Sequence, residues 1–176
     1  GMETNLGGGM DEKEYAQSVI NGCISRGTIG MVGDGASPNK YLVGLEVIRK
    51  LGGLGIPIFK PRVYSLDIIK RFKAAEDAGA IAVGIDIDAA SFKTMAIKNQ
   101  QVGPKSIDEL RKLKSHLSVP FILKGIMNAK SAHAAVEAGA DAIVVSNHGG
   151  RVMDTMPGTA EVLPEIASAI SGRVKI

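Results

Sequence analysis

Six consecutive residues, Ser146-Asn147-His148-Gly149-Gly150-Arg151, bring together a hydroxyl, an amide, an imidazole, two glycines and a guanidinium directly after the aliphatic run Ala142-Ile143-Val144-Val145. A strand tip followed by glycines lets backbone N–H groups approach a ligand closely while His148 and Arg151 project into the space beyond it. Imidazole is the side chain that exchanges a proton near neutral pH, so this segment reads as proton-transfer machinery; the competing reading is a histidine that merely caps a turn. Two other strand ends carry charge. Lys124-Gly125 closes Pro120-Phe121-Ile122-Leu123, and Gly84-Ile85-Asp86-Ile87-Asp88 ends in acids that strand alternation puts on one face. Paired acids suggest a divalent metal, but no third ligand stands at a suitable spacing, so a metal site is not expected.

Short aliphatic runs bounded by glycine alternate with longer amphipathic stretches, the pattern of strand-and-helix units in a parallel sheet. Helices are expected at Asp11 to Arg26, Asn39 to Leu51, Leu66 to Ala78, Ile107 to Leu117, Ala129 to Ala138 and Ala160 to Ile170. Asp11 with Glu14, and Ser106 with Glu109, have capping-box spacing. Strands are expected at Thr28 to Val32, Ile56 to Phe59, Ala80 to Ile87, Phe121 to Lys124 and Ala142 to Val145, and another begins at Val174-Lys175-Ile176. Glu76-Asp77-Ala78-Gly79-Ala80 and Glu137-Ala138-Gly139-Ala140 form a weak internal repeat, each glycine placed to end a helix.

The composition fits one globular domain spanning 1–176: 45% of the 176 residues are hydrophobic, and 22 glycines suit tight strand-to-helix turns. With four Phe, three Tyr and no Trp, the interior should be aliphatic, and aromatic platforms for nucleic acid are not expected. The net charge of +3 comes from interspersed charges rather than a polyanion-binding block. A single cysteine, Cys23, cannot build an internal disulfide. No run is long enough to cross a bilayer, and Gly1-Met2-Glu3-Thr4 lacks a signal-peptide layout; the expected compartment is the cytoplasm.

An open doubly wound sheet and an eightfold barrel both fit serial strand-and-helix units. Polar or glycine-rich signals follow nearly every strand, at Asp34-Gly35, Lys60-Pro61-Arg62, Asp86 to Ala90, Lys124-Gly125 and Ser146 to Arg151, and a barrel collects all such ends at one mouth. A full barrel takes roughly 250 residues, so an incomplete one is expected: either a truncated product or fragment, or two copies of the chain associating to cover exposed strand edges.

The string from Ser146 to Arg151, preceded by Pro120-Phe121-Ile122-Leu123-Lys124-Gly125 and followed by Asp154, Pro157-Gly158-Thr159 and Val162-Leu163-Pro164-Glu165-Ile166, resembles the FMN-dependent α-hydroxy-acid oxidases and dehydrogenases. The likeness is strong from Ile56 to the end and looser before it. It implies a TIM-type (β/α)8 barrel with strands two to six complete and the ends of one and seven, FMN as cofactor, and oxidation of a small 2-hydroxy acid to a 2-oxo acid, as in glycolate and lactate oxidases. By motif position, His148 takes the hydroxyl proton, Arg151 grips the substrate carboxylate, and Lys124 lies beside the flavin N1 and O2 edge. Ser146, Gly149 and Asn5 fall at flavin-contacting positions, Asn5 within Thr4-Asn5-Leu6-Gly7-Gly8-Gly9, which resembles the loop after strand one.

A gapless match gives Asp88 to the aspartate that pairs with the histidine and Asp86 to a flavin-contacting threonine; a shift of two residues exchanges them. Ile58 and Lys60 stand where the family has a glutamine and a tyrosine, which argues against a standard small substrate. The family's phosphate-gripping loops follow strands seven and eight, so this chain by itself is expected to hold FMN weakly or not at all. The other readings are a non-catalytic barrel fragment and a flavin-free phosphate-binding isomerase or aldolase barrel.

Overall fold

In the computed structural model, which describes residues 8–37 and 40–176, both capping boxes close. Asp11 Oδ1 accepts from the backbone N–H groups of Lys13 and Glu14 at 2.8 Å, and Glu14 returns a bond to the Asp11 N–H at 3.1 Å. Ser106 and Glu109 exchange the same pair at 3.2 and 2.8 Å. These contacts satisfy N–H groups that the first helical turn leaves without partners.

The order is α1 (Glu12–Ile24), β1 (Gly30–Gly33), α2 (Lys40–Lys50), β2 (Gly55–Phe59), α3 (Ser65–Asp77), β3 (Val83–Asp86), α4 (Lys93–Ile97), α5 (Ile107–Lys114), β4 (Phe121–Ile126), α6 (Ala129–Glu137), β5 (Ala142–Val145) and α7 (Thr159–Ile170). The five strands pair in parallel in chain order, β1-β2-β3-β4-β5. That order selects between the two architectures: a doubly wound sheet reverses at a switch point, whereas a barrel winds on in one direction. The chain forms a curled part of a barrel, and Lys175 bridges Ala142 in parallel where a further strand begins.

Every strand has a helix-facing and an inner side. Phe59, Ile85, Leu123 and Ile143 pack outward against Phe72, Leu113, Ala135 and Ile166 in the main core. Ile56, Ile58, Ala82 and Ile122 form a smaller inner cluster. An aliphatic interior is what the composition suggests, yet three of the four phenylalanines form a continuous row: Phe59 and Phe72 have ring centroids 6.2 Å apart, and Phe72 meets Phe121 edge-on at 6.0 Å. Fully burying each such ring contributes about 1.5–3 kcal/mol.

The repeated glycines do what their spacing suggests. Gly79 and Gly139 have φ of +80° and +82°, left-handed values at which a side chain would be strained, and each turns the chain from its helix into the next strand. The main departure lies between them. Instead of a strand running from Ala80 to Ile87, β3 ends at Asp86, a 3-10 turn spans Ile87–Ser91, and the unanticipated short helix α4 follows.

Candidate functional site

Inner-facing positions of three neighbouring strands put opposite charges side by side. Phe59 pairs with Ile85 and Asp86 with Lys124, so Lys60, one residue past β2, stands level with both. Lys60 Nζ donates to Asp86 Oδ2 at 2.7 Å, and Lys124 Nζ donates to Asp86 Oδ1 at 2.6 Å. Asp86 is 3% exposed and Lys60 5%. Burial pushes the Asp86 carboxyl up, but the charges of Lys60 and Lys124, with their hydrogen bonds, outweigh it and hold the group below the ordinary carboxylate range.

His148 returns over this row from the loop after β5. Its backbone has φ +60°, a conformation that costs a non-glycine residue about 1–3 kcal/mol and is concentrated at functional sites. The Ser146 hydroxyl accepts from its N–H at 3.1 Å, and Asn147 braces the turn by accepting from Gly150 N and donating to the Pro157 carbonyl. Asp88 lies 3.0 and 3.1 Å from His148 Nδ1 through its two oxygens. A carboxylate cannot donate, so in the neutral ring Nδ1 carries the proton and Nε2 presents its lone pair. Nε2 faces Lys60 Nζ at 3.5 Å and Asp86 Oδ2 at 3.8 Å, and the Phe92 ring packs edge-on against the imidazole at 4.5 Å.

Alternation along β3 is not what positions Asp88, because that residue lies in the 3-10 turn, beyond the strand's end. What admits it is a missing side chain. Gly125 sits at the register shift between Lys124 and Ile126 with φ +103°, and a Cβ there would lie 2.6 Å from Asp88 Cβ and Cγ.

Lys60, Asp86, Lys124, Ser146, His148, Gly149 and Arg151 line one cavity of about 1070 Å³ at the strand C-termini. Arg151 is exposed, donates from Nε to the His148 carbonyl at 3.1 Å, and keeps its guanidinium 5.9 Å from the Phe92 ring. Asn5 lies outside the described residues, as does Asn39 at the expected start of α2. The spacing argument against a third metal ligand fails, since Asp86, Asp88 and His148 offer ligand atoms within 4.8 Å of one another. Both oxygens of Asp86 nevertheless already accept from ammoniums, and a dication would face those two charges at contact range.

A second ionic joint beside the cavity was not legible in the sequence. Asp34, 6% exposed, takes Arg62 Nη2 on both oxygens at 3.1 and 2.9 Å, with Arg71 Nε at 3.7 Å. Arg62 continues to the Gly35 carbonyl at 3.0 Å and to Gln100 Oε1 at 2.5 Å. Charged residues at or just beyond the ends of otherwise apolar strands, at Asp34, Lys60, Arg62 and Asp86, were the available signal; their pairing follows from register.

Fold and site together define a parallel β/α barrel segment with a carboxylate-backed histidine, an arginine and a lysine around one mouth. Residues 88–176 match the profile of the FMN-dependent dehydrogenase family, and the chain belongs to that family. It is 51% identical over 158 aligned residues to the 2-hydroxyacid oxidase of Dictyostelium discoideum, covering 71% of this chain and 40% of that protein. To the L-lactate oxidase of Lactobacillus jensenii it is 42% identical over 111 residues, covering 63% of this chain and 24% of that protein. Among solved structures, mandelate oxidase superposes with a TM-score of 0.72 at 25% identity over 93% of this chain and 52% of that one. A mandelate oxidase mutant solved with a C4a-OH-FMN adduct gives 0.66 at 26% identity, over 93% and 51%. The chain thus spans about half the length of these solved relatives and less than half of the curated ones.

Proposed function

We propose that this chain contributes the proton-transfer half of an FMN-dependent oxidoreductase that oxidises a small 2-hydroxy acid to the 2-oxo acid. The observation that carries the reading is the His148 ring, held by Asp88 at Nδ1 with Nε2 turned toward a cavity that also receives Arg151 and Lys124. The cavity fits the group: its volume of about 1070 Å³ is at the upper end of ligand sites and accommodates an isoalloxazine with a small acid beside it. Lys124, with 21% of its side chain exposed, keeps donors for the flavin's pyrimidine edge, where a fixed positive charge favours the reduced anion. Ser146 and Gly149 line the same wall, and Asn5 belongs to the same proposal as a flavin contact.

Bound FMN supplies the acceptor for two electrons and the α-hydrogen. This chain's residues supply the rest. Arg151 holds the substrate carboxylate through its planar fork, His148 Nε2 takes the hydroxyl proton, and Asp88 stabilises the imidazolium that results. The names of the relatives support this reading: L-lactate, 2-hydroxyacid and mandelate oxidases.

The cytoplasmic location and the self-association expected from the sequence are part of the same proposal. A lone cysteine supports the first; among the described residues, no helix is long and apolar enough to cross a membrane. The outer edge of β1, with Met31 and neighbouring Ile29 exposed, supports the second.

Anaerobic mixing of the flavin-loaded protein with L-lactate or glycolate tests the chemistry through bleaching of the flavin band. His148→Ala should slow that reduction by about 10²–10⁴-fold while leaving flavin retention unchanged. Reduction at the unaltered rate removes His148 as the base.

A further inference from the structure

Lys60 stands beside the nitrogen that Asp88 leaves free. The residue is 5% exposed; its ammonium donates to Asp86 Oδ2 at 2.7 Å and lies 3.5 Å from His148 Nε2, with the Phe92 ring centroid 5.0 Å away. An ammonium has three N–H donors. Only the Asp86 bond is short here, and the contact to Nε2 is at the limit of hydrogen-bond length, so Lys60 has donor capacity left over beside the cavity it lines.

The spacing itself is informative. A hydroxyl that passes its proton to Nε2 must come within about 2.6–3.2 Å of that nitrogen. Because Nε2 and Nζ are 3.5 Å apart, less than the sum of two hydrogen-bond lengths, a single oxygen fits within bonding distance of both. Asp86 offsets the cost of burying the charge and anchors the ammonium in front of the imidazole.

We propose that Lys60 is a second substrate-binding residue, donating to the same 2-oxygen from which His148 takes the proton. In the reaction, the O–H proton moves to Nε2, the C–H hydrogen leaves with its electron pair to the flavin, and the pair left on oxygen becomes the second C–O bond. Lys60 keeps its proton throughout and stabilises the negative charge that develops on that oxygen when the O–H bond breaks ahead of the C–H bond. Recognition is then split between two cations. Arg151 answers the carboxylate, and Lys60 answers the oxygen at carbon two, so acids without that oxygen lose a contact. This assignment rests on the hydroxy-acid reading above.

Long-range ¹H–¹⁵N spectra of the 176-residue chain, following the His148 ring nitrogens during titration with L-lactate and then propionate, test it without turnover. In the native chain, lactate should bind tighter than propionate and shift Nε2. Lys60→Met should weaken lactate at least tenfold and leave propionate unchanged, narrowing the preference to what the His148 contact alone supports, without moving the Nδ1 signal; Arg151→Met should weaken both acids alike. Should Lys60→Met fail to fold with Asp86 left buried and unpaired, the double variant Lys60→Met/Asp86→Asn removes that orphaned charge and takes the same test. Lactate preference undiminished in whichever variant folds overturns the role of Lys60 but leaves the hydroxy-acid reading standing, provided Arg151→Met still weakens both acids. A native chain that does not distinguish lactate from propionate overturns both.

Discussion

Asp34 and Asp86 are both buried carboxylates at strand ends, each facing two side-chain cations, yet their partners differ in kind. Asp34 accepts from the backbone N–H of Gly35 at 2.7 Å and of Lys60 at 3.3 Å, and its cations are arginines. Arg62 reaches on to Gly35 and Gln100, while the Arg71 guanidinium stacks 4.5 Å over the Tyr41 ring. A rigid, many-donor fork thereby ties the loop after β1 to the tail of β2 and to α3. Asp86 has no backbone donor among its described hydrogen bonds; it holds two ammoniums, each a point charge on a flexible stem. The guanidinium joint uses its donors inside the protein, and the ammonium row keeps some of its donors for whatever enters the cavity.

Breaking the first joint should cost most. Arg62→Met leaves Asp34 buried with its main partner gone, and denaturant unfolding should show a loss of about 3–5 kcal/mol. An unchanged midpoint would erase the distinction between the two clusters. Asp86→Asn should cost less, about 1–3 kcal/mol, because the amide oxygen still accepts from one lysine and Lys124, if it is the one left facing the NH2, has access to solvent. The same variant carries a pH signature. The folded pKa of Asp86 is depressed, so its contribution is fully present above the ordinary carboxylate range and is lost as pH falls through the lower folded value. The stability gap between native and Asp86→Asn chains should therefore narrow on acidification; a gap constant down to the acid limit contradicts the pairing. Smallest is the exposed control: Lys73→Ala removes the solvent-facing pair with Asp77 at 3.7 Å and should stay within about 0.5 kcal/mol of native.

Local chemistry was the legible part of the fold. Asp11 with Glu14 and Ser106 with Glu109 announce their helices because capping needs only residues three apart, and Gly79 and Gly139 announce turns that few other residues tolerate. The strand order resolves what periodicity left open, since alternating strands and helices carry no record of which neighbour a strand chooses. At the site, the sequence brought forward His148 and Arg151 through one contiguous motif and Lys124 through another. Alternation is a faulty account of how Asp88 reaches the mouth, since β3 stops first, whereas its pairing with the histidine followed from the gapless family match. Lys60 was legible only as a departure from the family pattern, because its partner Asp86 is 26 residues away and their contact depends on strand register. The Asp34 joint was hidden for the same reason: Arg62 lies 28 residues on.

Gly125 has no group that could accept a proton or grip an anion, and a survey by functional group would pass over it. Yet even one methyl there would need the space that Asp88 occupies, so the aim of the imidazole is governed by an atom that is not there. Tolerance to mutation and chemical importance therefore run in opposite directions at this mouth: exposed Arg151 has room to be exchanged and assayed, while the most inert position in the row admits almost no substitute. In a collection of natural variants, the identity of residue 125 would report whether the proton acceptor is still aligned before any reactive residue is inspected.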